Sequence, residues 1–166
     1  MGQHYLFVYG TLKRGFWNNR LLSDSRFIGT GKTIDQYPMV CRGVPFLINH
    51  AGLGHRVLGE VYSVSDAVLK STDRLEGHPD WYERKMINIE MDQSPVNVIH
   101  YTGSSSSCGA GGAGGIGKNI FACWAYLMDP SSDSSFRLYD ATDFQEEYTG
   151  PTMRKMQRFV DAGERH

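Results

Sequence analysis

Tyr5-Leu6-Phe7-Val8-Tyr9-Gly10-Thr11-Leu12-Lys13-Arg14-Gly15 is the stretch on which the reading of the fold turns. From His4 to Tyr9 the side chains are apolar or aromatic on both faces, with β-branched and ring residues, as in a strand covered from two sides. The strand stops at Gly10. A glycine there lets the backbone turn sharply, so that successive N–H groups can point into one concavity and hold an anion such as a carboxylate. The competing reading is an ordinary strand-end turn with Lys13 and Arg14 in solvent.

Working outward, Phe27 to Asp35, Met39 to Arg42, Phe46 to Asn49 and Arg56 to Val64 read as further strands, separated by Gly, Pro or Asn. Glu83 to Met91 alternates, with Ile87, Ile89 and Met91 on one face and Arg84, Asn88 and Glu90 on the other. Val96 to Tyr101 and Ile120 to Met128 complete the set. Many short strands with few helices point to a largely antiparallel, closed or nearly closed barrel, because closure removes exposed edges.

A single domain is expected over residues 1–166. It carries a Ser/Gly tract at about 103–119, too poor in apolar side chains to order itself, and a polar extension from about residue 129. Within the tract, Gly112 to Lys118 matches G-x-x-x-x-G-K, yet Asn119 follows where a phosphate-binding loop needs Ser or Thr, and a strand follows where it needs a helix. Pro151 opens a helix-like stretch with Met153, Met156, Phe159 and Val160 on one face.

Seventeen basic and eighteen acidic residues leave a formal charge of -1, so no overall field draws the chain to nucleic acid or an anionic membrane. No apolar run reaches the ~18 residues of a membrane span, and no leader-like segment opens the chain. Cys41, Cys108 and Cys123 are odd in number and lack CxxC spacing, which fits a reducing compartment. A cytoplasmic monomer acting on a small molecule is expected. There is no H-E-x-x-H, no G-x-S-x-G and no ligand cluster, so neither a metal nor another cofactor is expected.

The second candidate region is Ser65 to Gly77. Ser65 can cap a helix whose inward stripe is Val68, Leu69, Thr72 and Leu75, with Gly77 and Pro79 ending it. Glu76 lies ~20° from Leu69 and ~40° from Thr72 on the helical wheel, and so points toward the core. Burial and the helix C-terminus both oppose its ionisation, the direction that a base working near neutrality needs. The other reading is a Glu that reaches solvent or pairs with Arg84. Asp73, ~60° from Glu76, competes for the role, although a structural task suits it better. His78 beside Pro79 reads as a loop residue.

Taken together, Phe7 to Gly15, Gly59-Glu60-Val61-Tyr62, Asp73-Arg74-Leu75-Glu76-Gly77 and Tyr82-Glu83-Arg84 resemble the γ-glutamylcyclotransferase-like family in order and spacing. Tyr-Gly-Thr-Leu-Lys-Arg-Gly is similar to the branch acting on γ-glutamylamines. The resemblance implies an α+β fold, a small mixed, mainly antiparallel barrel with flanking helices. It implies that backbone groups of Tyr9, Gly10, Thr11 and Leu12 hold the glutamyl moiety and that Glu76 is the acid/base, with Tyr82 and Tyr126 as candidates for lining the pocket.

The reaction so implied is intramolecular. The substrate's α-amine attacks its own γ-carbonyl, releasing 5-oxoproline and a free amine such as lysine. Two alternatives stand beside it: a cyclotransferase for γ-glutamyl-α-amino acids, and a non-catalytic module of the same fold that binds a small metabolite.

Overall fold

The computed structural model describes residues 2–92, 119–131 and 144–150. The elements are β1 (Gln3–Val8), a 3-10 helix (Trp17–Leu22), β2 (Arg26–Thr33), β3 (Met39–Arg42), β4 (Val44–Leu47), β5 (Leu58–Ser65), α1 (Asp66–Glu76), β6 (Glu83–Met91) and β7 (Ile120–Leu127). Five strands close a barrel in the order β1-β5-β2-β6-β7. Four of its seams are antiparallel, and closure is made by a parallel contact of β1 with β7 at Leu6 and Trp124. The α+β barrel expected from the sequence is the fold.

The second half of β1, Leu6 to Val8, is buried on both faces as expected, whereas Gln3 is exposed and His4 and Tyr5 are only half-buried. Phe7 packs inside the barrel with Val61, Ile89, Cys123 and Leu127. Leu6 and Val8 face the other way, into a second core with Tyr62, Val64, Leu69 and Tyr126 beneath α1. Burying each such side chain is worth roughly 1.5–3 kcal/mol, so one strand welds two cores. β6 follows its alternation, with Ile87, Ile89 and Met91 buried and Asn88 exposed.

Two expectations need correction. Met39–Arg42 and the following run do not join the large sheet; β3 and β4 pair only with each other, around Gly43 at φ 80°. The second strand also starts earlier than the apolar run suggested, at Val44, because Pro45 is carried within it. The hairpin is tied to the end of β7 by Met128 N–H donating to Leu47 O (2.8 Å) and Asn49 N–H donating to Met128 O (2.8 Å). On α1, Leu69 and Thr72 are buried as expected, but Leu75 is 41 % exposed. Leu75 lines the cavity between α1 and the β1 turn instead of packing in the core.

The polar stretch after Met128 returns to the barrel. Residues 144–150 lie across it, with Gln145 N–H on Met39 O and Glu146 O accepting from Leu58 N–H. Tyr148 is buried to 1 % exposure and packs its ring against Phe16 at a tilt of 33°. The expected strand Val96–Tyr101, the Ser/Gly tract with its glycine-lysine match, and the helix after Pro151 lie outside the described residues. No helix among the described residues is long and apolar enough to cross a membrane.

Candidate active site

A cavity of about 250 Å³ opens between the β1 turn and the end of α1. Tyr9, Gly10, Thr11 and Leu12 form one wall; Glu76, Tyr82 and Tyr126 stand on it from other elements. Both regions singled out in the sequence therefore meet at one place.

The turn is built by the backbone. Lys13 N–H donates to Gly10 O (3.0 Å) and Phe16 N–H to Lys13 O (3.2 Å). Gly10 is required by space, since a Cβ there would sit 2.6 Å from Pro45 Cγ. Among the described residues, the N–H groups of Thr11 and Leu12 donate to no protein acceptor. Two free amides on a cavity wall are suited to an anionic oxygen.

Side chains lock the turn from behind. Asn18 Nδ2 donates to Thr11 Oγ1 (2.9 Å) and Asn19 Nδ2 to Leu12 O (2.8 Å). Glu60, 8 % exposed, accepts from Arg14 N–H (3.0 Å), Arg14 Nε (3.2 Å) and the Tyr62 hydroxyl (2.9 Å). Lys13 is not in solvent: its Nζ donates to Tyr148 O (2.9 Å) and Glu147 Oε1 (3.2 Å) at 7 % exposure. The reading of a strand-end turn with two solvated cations fails at Lys13. Glu60 was missed as a functional support, although a carboxylate inside an otherwise apolar strand was a visible signal.

Helix α1 delivers Glu76. Ser65 Oγ accepts from Val68 N–H (3.3 Å), and Gly77, at φ 64°, ends the helix in the left-handed region. Glu76 is half-buried and has no hydrogen-bond or ion-pair partner among the described residues. Burial pushes its pKa up to about 7.

Asp73 does not compete for that position. Both its oxygens accept from Arg84 Nη1 (2.7 and 2.6 Å), and Oδ1 also accepts from the Tyr126 hydroxyl (2.8 Å). The pairing of Arg84 with Glu76 that the sequence left open is thereby replaced by one with Asp73. Tyr126 holds the site from both ends, because its carbonyl accepts from the Tyr9 hydroxyl (2.7 Å) and its own hydroxyl bridges Thr72 and Asp73. The Tyr82 hydroxyl donates to Pro45 O (3.3 Å). Burial raises the pKa of Tyr9, Tyr82 and Tyr126, so all three remain protonated at neutral pH. His78 Nδ1 accepts from Arg84 N–H (3.1 Å), a structural role.

Residues 6–146 match the model of the family described as "Gamma-glutamyl cyclotransferase, AIG2-like". The chain belongs to this family. The match takes in both walls of the cavity. Gamma-glutamylaminecyclotransferase of Rattus norvegicus is 34 % identical over 130 residues, 74 % of this chain and 76 % of that protein. A protein of Methanocaldococcus jannaschii named as a putative gamma-glutamylcyclotransferase is 46 % identical over 89 residues, 53 % of this chain and 73 % of its own length. The match to gamma-glutamylaminecyclotransferase B of Danio rerio, 45 % identical, spans 49 % of the fish protein. Among solved structures, an AIG2-like protein of Mus musculus superposes with a TM-score of 0.70 at 25 % identity, covering 91 % of this chain and 92 % of the other.

Proposed function

We propose that the protein is a γ-glutamylamine cyclotransferase, with Glu76 as its acid/base and the turn Tyr9–Leu12 as its glutamyl holder. The observation that carries this reading is the pairing, across one cavity, of a carboxylate with a pKa of about 7 and two backbone amides, all without a partner among the described residues. The amides take the substrate's α-carboxylate. That fixes the α-nitrogen near Glu76 and folds the γ-carbonyl back toward it.

The substrate supplies its own nucleophile. Glu76 takes a proton from the α-ammonium, the freed nitrogen bonds to the γ-carbonyl carbon, and the bond from that carbon to the amine nitrogen breaks. The α-nitrogen starts with three hydrogens and keeps one in the lactam, while the departing nitrogen starts with one and leaves as an ammonium with three. Two protons therefore cross, and Glu76 carries them in turn. Orientation of an intramolecular attack can be worth roughly 7–11 kcal/mol, against roughly 10²- to 10⁴-fold for the proton transfers, so the turn contributes the larger share.

An amine as the leaving group, rather than an α-amino acid, is supported by the charge of the lining. Glu76 is the only charged side chain on the cavity among the described residues, so no cation stands beside the scissile bond for the carboxylate that an α-linked amino acid carries there, whereas an ε-linked lysine carries its own several bonds farther out. Several relatives also carry gamma-glutamylaminecyclotransferase as their name.

The test is incubation with γ-glutamyl-ε-lysine, γ-glutamyl-alanine and glutathione, measuring 5-oxoproline. The first should be turned over best, and Glu76→Gln should lower kcat by ~10²-fold or more. Asp73→Asn is the control. Turnover abolished in Asp73→Asn but kept in Glu76→Gln would overturn the assignment.

A further inference from the structure

The outer end of the cavity differs in character from its floor. Phe7, Tyr9 and Tyr126 are all at most 7 % exposed, whereas Trp81, Leu75 and Val44 on the same cavity are 64 %, 41 % and 38 % exposed. Among the described residues the other large exposed apolar side chains are Trp17, Ile34, Leu53, Met86 and Ile120, and none of those lines the cavity. Three gathered on one rim form a patch that water covers poorly.

The backbone that carries the indole is fixed. The backbone N–H of Trp81 donates to Gly77 O (2.9 Å), and the bare Cα of Gly77 leaves room for Trp81 Cβ, which a Cβ there would approach to 3.1 Å. On the same cavity, Tyr82 stacks on Phe46 with the rings 10° from parallel. The rim therefore arises from three elements: α1 brings Leu75, the hairpin brings Val44, and the loop into β6 brings Trp81.

We propose that this rim is the binding site for the leaving amine's side chain, and that Trp81 makes it selective for a hydrophobic, flat arm such as an arylalkyl group. The inference rests on the cyclotransferase reading above. With the glutamyl carboxylate on the turn and the scissile bond beside Glu76, the leaving group has only the open end to occupy. Among the described residues a carboxylate-bearing arm meets no cation there, so the charged end of an ε-linked lysine gains nothing from the rim. An arm ending in an ammonium meets no acidic side chain except Glu76, which the proton transfers engage. A neutral apolar arm gains from burial against Leu75 and Val44, and an aromatic one from the face of the indole.

The experiment compares kcat/KM for γ-glutamyl-phenethylamide, γ-glutamyl-methylamide and γ-glutamyl-ε-lysine in the parent, Trp81→Ala and Trp81→Phe. The phenethylamide should exceed the methylamide by roughly 10-fold or more in the parent, in line with what apolar contacts contribute to discrimination. That ratio should fall at least fivefold in Trp81→Ala and be largely kept in Trp81→Phe. Loss of structure alone would lower turnover of every substrate and leave the ratio standing. A ratio near one in the parent, or one untouched by Trp81→Ala while 5-oxoproline still forms, overturns the rim assignment and leaves the cyclotransferase reading intact. Absence of 5-oxoproline from all three substrates overturns both.

Discussion

Glu76 works against the stability of the fold that holds it. Its folded pKa of about 7 lies above the ordinary value of 4.5, so the folded state binds the proton more tightly than the unfolded chain does. The stabilisation from this group is complete below about pH 4.5 and is lost as the pH rises through about 7. The difference approaches about 3 kcal/mol at pH 8. Glu76→Gln removes the titration, so its stability in urea should exceed the parent's at pH 8, with the gap closing toward pH 4.5. The parent's kcat/KM should rise with pH around 7, where the base becomes ionised; equal melting of the two proteins at every pH would contradict the burial of the carboxylate. This residue was legible in the sequence because helical spacing fixes direction, and Leu69, Thr72 and Glu76 share one face. The commitment of Asp73 to Arg84 was only half legible, because the partner comes from another strand and no local pattern announces it.

At the scale of elements, the turn at Gly10 depends on β5. Glu60 is paired with Val8 across the β1–β5 ladder, and its carboxylate reaches over the strand end to hold Arg14. Glu60→Gln keeps the volume but removes the charge that a guanidinium and a backbone amide share. The expected result is a loss of about 1–3 kcal/mol in stability, with KM rising more than kcat falls, because the turn loosens while Glu76 stays in place. A fall in kcat with KM unchanged would show that Glu60 acts on the chemistry. The strands themselves were readable from alternation and turn residues. What alternation cannot specify is the partner: β3 and β4 have strand-like sequences, and only the placement of Gly43 and the tie to Met128 sets them apart as a hairpin that delivers Pro45 and Phe46 to the cavity.

Over the whole molecule, two segments distant in sequence from the barrel's first strands are expected to matter to it unequally. The β6–β7 ladder runs in unbroken register from Glu83 opposite Leu127 to Glu90 opposite Ile120, and Met91 N–H still reaches Asn119 O (2.9 Å). Deleting Ser104 to Gly117 should therefore leave cooperative melting and turnover nearly intact, since loop-closure entropy changes slowly with length. Loss of either in a thermal melt and a 5-oxoproline assay would give the tract a structural role. Tyr148 is the opposite case. It is 1 % exposed, its hydroxyl donates to Gly43 O (3.1 Å) and its carbonyl accepts from Lys13, so Tyr148→Ala should cost about 3 kcal/mol or more in urea unfolding and raise KM as well. Composition could not reveal this, because one aromatic residue in a polar stretch carries no periodicity. The clamp also sets an order of events during synthesis. Lys13 and its acceptor Tyr148 are 135 positions apart. At 5–20 residues per second a ribosome needs roughly 7 to 27 s to cover that distance. For that interval a buried-to-be ammonium has no acceptor. The turn is thus set in place only after Tyr148 is made, and a chain that already carries both Gly10 and Glu76 still lacks the brace behind Lys13.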